Sequence, residues 1–321
     1  MVGKKIKEIE GKNKLMKDLI EEFKTKAEPL LQKIAKKRNS VVFPLLFHIQ
    51  TSINPWCISK IYNRLQKIPK EKMKKIERFD VIIFSRGGDP DTAFHIGKML
   101  HNFVGNKRLT FVIPRAANSA ATLITFAGDE ILMNLPSELG PIDPQIEVMP
   151  GRFVSVRSLR ESFELIFERI VRCSDISKVV VEAVVERLPL HELVDYERLL
   201  EHIEELAVEL LKFRMIKNEE KAKNIAETFV KKFKHHGRSI TYDDCIRLGL
   251  NVKRMEGDEW NVIWEFHNLW EELANIEGKI GSEVLPIELG DGIMFVPSQK
   301  AEEEKGKSSV EEVITHLVSK E

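Results

Sequence analysis

Apolar residues return along this chain with two different periods. From residue 4 to 38, Ile6, Ile9, Leu15, Ile20, Phe23, Leu30, Leu31 and Ile34 recur at near-helical spacing among lysines and glutamates, and they predict charged amphipathic helices around Pro29. The texture changes at residue 41. VVFPLLFHI (41–49), FDVIIF (79–84), LTFVI (109–113) and EILM (130–133) are short β-branched or aromatic runs and predict buried strands. Between them, residues 90–103 set Ala93, Ile96, Met99, Leu100 and Phe103 on one helical face and Asp91, Lys98 and Asn102 off it. Strand and helix in alternation predict a largely parallel α/β sheet.

Beyond about residue 155 the strand texture is lost, and helices are predicted over 157–188, 193–216 and 218–234. A turn and short helix over 238–250, closed by Gly249, precede a tryptophan-bearing helix over 255–277. In the tail, Val310, Val313, Ile314, Leu317 and Val318 form the stripe of a terminal helix that docks on the body or on a partner. The expected organisation is a helical N-terminal extension (1–38), an α/β domain with a helical C-terminal part (39–297), and a charged linker with a terminal helix (298–321).

Charge narrows the partners. Lys+Arg and Asp+Glu each number 50 in 321 residues, for a formal net charge of +0, so bulk electrostatics argue against a nucleic-acid or membrane-surface binder. The basic run 231–238 is explained by charge complementarity at a helix end. Only Cys57, Cys173 and Cys245 occur, far apart, which excludes a disulfide framework or a paired-thiol zinc site and suggests a reducing compartment. No apolar run approaches the ~18 residues of a membrane span, and the N-terminus lacks a signal-peptide core. A cytoplasmic protein without metal, cofactor, nucleic-acid partner or integral membrane segment is expected.

Two strand-to-helix corners could carry chemistry. The first is Ser85-Arg86-Gly87-Gly88-Asp89-Pro90, where Asp89 is a good N-cap and Pro90 suits the first helical position. Gly87 and Gly88 then present bare backbone N–H groups just outside a helix start. They are either an anion-facing loop or a plain tight turn. The second is Pro114-Arg115-Ala116-Ala117-Asn118-Ser119-Ala120-Ala121-Thr122. Ser119 is either a helix N-cap or a nucleophile whose neighbour Ala120 offers half an oxyanion hole. Both corners follow successive strands, so in an open α/β sheet they face one crevice, the minimum equipment for acyl transfer.

With those corners, the stretches 79–100, 110–146 and 235–252 resemble the serine dehydrogenase proteinase family, serine peptidases of the Clp/crotonase fold related to signal peptide peptidase A. The resemblance spans about residues 33–270. It implies a ββα-spiral core, a serine peptidase that acts on peptides or proteins, and a homo-oligomer. It implies Ser119 as nucleophile and Gly87, Gly88 and Ala120 as oxyanion donors. Arg86 stands where the family has proline. Asp143, in Gly140-Pro141-Ile142-Asp143-Pro144, matches a family hallmark and either forms the turn or orients a catalytic partner. The general base is open. A family lysine falls at Arg198, which cannot accept a proton, leaving Lys178, His191, His202 and His236 as candidates. A catalytically degenerate binding or scaffold protein and a crotonase-like acyl-CoA enzyme are the alternative readings.

Overall fold

The computed structural model describes residues 2–149, 152–172, 190–274 and 284–297. The first element, α1 (Val2–Arg38), is one helix that continues through Pro29, although proline removes an i to i−4 bond. Tertiary packing explains its continuity. Ile20, Phe23, Ala27, Leu31 and Ile34 stay on one buried face, and Phe23 lies 6.2 Å from Phe266 and 5.9 Å from Trp270. Burial of each such large side chain is worth about 1.5–3 kcal/mol.

After α1 come β1 (Ser40–Phe47), α2 (Pro55–Gln66), α3 (Lys70–Lys75), β2 (Arg78–Phe84) and α4 (Pro90–Val104). They are followed by β3 (Arg108–Val112), β4 (Ala116–Ala117), α5 (Ala120–Thr125), β5 (Glu130–Met133) and β6 (Glu138–Leu139). The hairpin β7 (Gln145–Met149) and β8 (Arg152–Ser155) leads into α6 (Val156–Arg172), α7 (Leu190–Phe213) and α8 (Glu219–Glu227), with a π-helical turn at Thr228–Lys232. The remaining elements are α9 (Tyr242–Leu248), β9 (Val252–Arg254), α10 (Gly257–Ala274), β10 (Val284–Leu289) and β11 (Gly292–Pro297).

The main sheet has the order β10-β11-β1-β2-β3-β5-β9, parallel throughout except for the β10–β11 hairpin. Side chains alternate across its faces as strand geometry requires. Val41, Phe43, Leu45 and Phe47 face α2, α4 and α5, whereas Val42 and Leu46 face α1 and α10. On that second face Asp80 is fully buried and paired with Arg38 at 2.6 Å, and Arg38 also reaches Glu259 at 2.9 Å. The basic end of α1 is therefore clamped to the sheet and to α10.

A second, smaller layer grows from the strand ends. Ile53 bridges Gly88, Ser85 bridges Ala117, β4 pairs with β6, and Leu139 bridges Ile240. β1, β2 and β3 are thus each followed by a short strand-like step and then a helix, the expected ββα repeat.

Two expectations need correction. Strands do not end at residue 155: β9 closes one sheet edge, and β11 pairs in parallel with β1 from the other side. β10 and β11 are joined at Gly290-Asp291, and Gly290 has φ +54, a left-handed conformation that glycine adopts without steric cost. The helix predicted over 157–188 is seen as α6 to Arg172, and its remainder lies outside the described residues, as does the terminal stripe 310–318. The helix predicted over 218–234 gives way after Glu227 to the π-helical turn. The Gly249 closure is left-handed, with φ +82. Among the described residues no helix is long and apolar enough to cross a membrane.

Candidate active site

The first corner is built by strand ends. β2 stops at Phe84, and the side chain of Asp89 accepts from the Thr92 N–H at 2.7 Å to start α4. Between them Gly87 has φ +115 and Gly88 φ +150. Neither position tolerates a side chain. A Cβ on Gly88 would lie 2.2 Å from the Ile53 carbonyl oxygen, because Ile53 N–H donates to Gly87 O at 2.9 Å and Asp89 N–H donates to Ile53 O at 2.8 Å. The Gly87 N–H is already engaged, donating to Ser85 Oγ at 3.0 Å. The Gly88 N–H has no acceptor among the described residues, and Gly88 is exposed.

The second corner follows β3 and β4. Ser119 has φ +53 and ψ −120, a left-handed backbone that a residue with a Cβ adopts rarely and at a cost. It precedes α5 but its side chain makes no capping bond, so the N-cap role open to it in the sequence is not the one it plays. The Ala120 N–H has no acceptor among the described residues either. The two corners are stitched together: Asn118 N–H donates to Ser85 O at 3.0 Å, and Thr122 Oγ1 lies 2.7 Å from Ala117 O and 2.9 Å from Gly140 O. Thr122 thereby ties α5 to the Gly140–Pro144 segment.

That segment carries Asp143. Ile142 N–H donates to Phe229 O at 2.9 Å, Val156 N–H donates to Pro144 O at 2.9 Å, and the two-way Leu139–Ile240 bridge brings the 235–240 loop alongside. Asp143 is 1% exposed, and neither carboxylate oxygen receives a hydrogen bond of normal length and angle. Burial pushes its carboxyl above the usual range, while nearby Ser155, Arg157 and His236 oppose the rise. His236 is half-buried with Nδ1 unpartnered. Burial holds its imidazole below the ordinary value, only partly offset by Asp143, which keeps the ring neutral at neutral pH.

Ser119, Ala120, Arg86, Gly87, Gly88, Asp143 and His236 all line one cavity of about 660 Å³, walled by Ile53, Ile142, Phe153 and Ile203. Of the base candidates, His236 alone among those whose side chains are described lies there. His202 is instead paired with Asp91 at 2.7 Å on the surface, though its neighbour Ile203 lines the cavity. Lys178 lies outside the described residues, and His191 belongs to α7. Arg198 is an exposed partner of Asp195. Nothing in the sequence assigns a role to Ser85, whose hydroxyl accepts from Gly87, or marks Ile53, which brackets Gly88 through its backbone, or Arg157, whose charge acts on Asp143. A comparable cavity of about 690 Å³ on α7 and α8, lined by Glu201, Glu204 and Lys231 among others, contains no serine, threonine or cysteine. Among the described residues no three of His, Cys, Asp and Glu are placed to hold a metal ion.

The model of the ClpP-like SDH-type serine proteinases matches residues 15–273, and the chain belongs to that family. Two uncharacterized proteins of Methanocaldococcus jannaschii are similar to it. One is 25% identical over 74% of this chain and 77% of its own length, the other 28% identical over 54% and 51%. Solved structures to which the chain is similar include a mutant of the 1510-N membrane-bound stomatin-specific protease, at 13% identity, TM-score 0.43 and coverage of 71% of this chain and 83% of that one. ClpP1 from Listeria monocytogenes follows at 13% identity, TM-score 0.37 and coverage of 71% and 96%.

Proposed function

We propose that this member of a serine proteinase family cleaves peptides with Ser119 as nucleophile, His236 as general base and Asp143 as the group that orients the base. The observation that carries the reading is the strained Ser119 backbone on a cavity shared with His236 and with Gly88 and Ala120, whose N–H groups have no acceptor among the described residues.

The hydroxyl of Ser119 attacks the substrate carbonyl carbon and its proton passes to His236. The carbonyl oxygen becomes an oxyanion, and the Gly88 and Ala120 N–H groups stabilise it. Each such donor typically lowers the barrier by about 3 kcal/mol. Collapse of the tetrahedral intermediate expels the amine, which takes the proton from His236 and leaves an acyl group on Ser119. Water, deprotonated by the same imidazole, releases the acid and restores the hydroxyl. The buried Asp143 carboxylate favours the imidazolium formed in each step and turns the ring toward Ser119.

Gly87 supports the donors without being one, since its N–H is held by Ser85. The test is covalent labelling with a fluorophosphonate. The wild-type chain is expected to label, and Ser119→Ala to lose the label while melting at the wild-type temperature. A wild-type protein that stays unlabelled would favour the binding or scaffold reading.

A further inference from the structure

Arginines in this protein are largely spent on structure. Arg38 holds Asp80 at 2.6 Å, Arg108 holds Glu130 at 2.7 Å and Arg214 holds Asp129 at 3.0 Å. Arg86 differs. It is exposed, it lines the Ser119 cavity, and it has no hydrogen-bond or ion-pair partner among the described residues. None of the other ionisable groups lining the cavity is paired with it. Asp143 is 1% exposed and faces inward toward Arg157 and His236, and Asp89 is committed to the backbone and hydroxyl of Thr92. Asp89 uses only Oδ1 for these bonds, yet it forms no ion pair with Arg86, so the cleft offers an exposed guanidinium without a salt-bridge partner among the described residues.

Its place in the chain fixes what it can reach. Arg86 immediately precedes Gly87 and Gly88, so its side chain is rooted beside the proposed oxyanion donor. An extended peptide advances about 3.5 Å per residue, and a carboxylate one or two residues from the scissile bond comes within range of such a side chain. Guanidinium groups suit that task because their planar fork binds a carboxylate through two parallel hydrogen bonds.

We infer that the Ser119 cleft selects peptides bearing a carboxylate near the scissile bond, an acidic side chain or a free C-terminus, and that Arg86 is the residue that reads it. This rests on the peptidase reading and names the substrate class for the same site.

The experiment measures binding without turnover. Fluorescence anisotropy on the full chain carrying Ser119→Ala compares peptides that differ only by Glu against Gln at each position, each with a free or an amidated C-terminus. The expected result is about tenfold tighter binding of the peptide with the carboxylate. Arg86→Gln should remove that preference, and Arg86→Glu should transfer it to a peptide with lysine at the same position. Loss of the preference on amidation assigns the carboxylate to the C-terminus, and loss on Glu-to-Gln exchange assigns it to a side chain. Equal binding of all the peptides, or a preference that survives both Arg86 variants, overturns the inference. Fluorophosphonate labelling of the chain with Ser119 and Arg86 intact separates the two readings. A labelled protein without carboxylate preference refutes only the selectivity, and an unlabelled protein with the preference refutes only the nucleophile.

Discussion

Gly87 lies against Ser119 so closely that a Cβ added to Gly87 would sit 2.8 Å from the Cβ of Ser119 and 2.9 Å from the Asn118 carbonyl oxygen. Those neighbours are a strained corner and backbone, which cannot swing aside as a flexible side chain would. Gly87 also has φ +115, which a residue with a Cβ does not adopt without strain. Gly87→Ala is expected to lower stability by about 1–3 kcal/mol and to slow fluorophosphonate labelling about a hundredfold. Labelling kinetics beside a denaturant melt check this; labelling at the wild-type rate would show that the spacing is irrelevant to the site.

Ser85 is fully buried, and its hydroxyl receives the Gly87 N–H at 3.0 Å. Removing it frees that peptide to turn and blurs the direction of the next N–H, that of Gly88. Ser85→Ala should reduce kcat about tenfold with little change in KM, because the proposed Gly88 donor would act mainly on the charge of the transition state. Steady-state kinetics on a fluorogenic peptide separate this from a folding defect, which would lower the active fraction and leave the labelling rate of the surviving protein unchanged.

As the proposed general base, His236 must be neutral to accept a proton. Burial lowers its pKa and the Asp143 charge raises it, so the acid limb of kcat/KM should fall below the ordinary histidine value of about 6.5. Asp143→Asn removes the raising influence, so the limb should move to still lower pH while the plateau drops through loss of orientation. A pH–rate profile of both proteins reads the two effects apart. An unmoved limb would assign the titration to another group.

His48, at the end of β1, is 2% exposed, with Nδ1 accepting from the Gln50 N–H at 3.2 Å and Nε2 unpartnered. Burial pushes its pKa down to about 4. Between the ordinary value of about 6.5 and about 4 the unfolded chain takes up a proton that the folded chain refuses. Stability should therefore fall by about 3 kcal/mol as pH drops through that window. His267, also buried and lowered, acts in the same direction. His48→Asn keeps a short acceptor for Gln50 and should flatten the slope, as urea melts at about pH 7, 5.5 and 4.5 would reveal.

Much of the site's frame could be read from local pattern, because buried parallel strands announce themselves as apolar runs. β1, β2, β3 and β5 each correspond to such a run, and both corners fall at their ends. Ser119 was ambiguous for a physical reason: serine before a helix is the ordinary capping pattern, and only its φ of +53 and idle side chain separate it from a cap. Gly87 and Gly88 were equivalent in sequence, and the bond to Ser85 distinguishes them. His236 could not be chosen over His202 or Lys178, since its approach to Asp143 depends on the Leu139–Ile240 bridge across distant segments. β11 carries an apolar run of its own, but nothing local ties that run to β1, about 250 residues earlier, across the helical stretches between them.

That late strand bears on how the protein comes into being. Phe295 stacks on Phe47 at 4.7 Å and accepts the His48 N–H at 2.9 Å, so the loop that leads to Ile53, and through it to Gly88, hangs from residues 292–297. A chain in which residues 292–297 have not yet paired has no strand to brace that loop, and pairings this distant in sequence are slow to form. Until β11 has docked, the Gly88 corner lacks its outer support, so the cleft takes its final shape only after that long-range pairing.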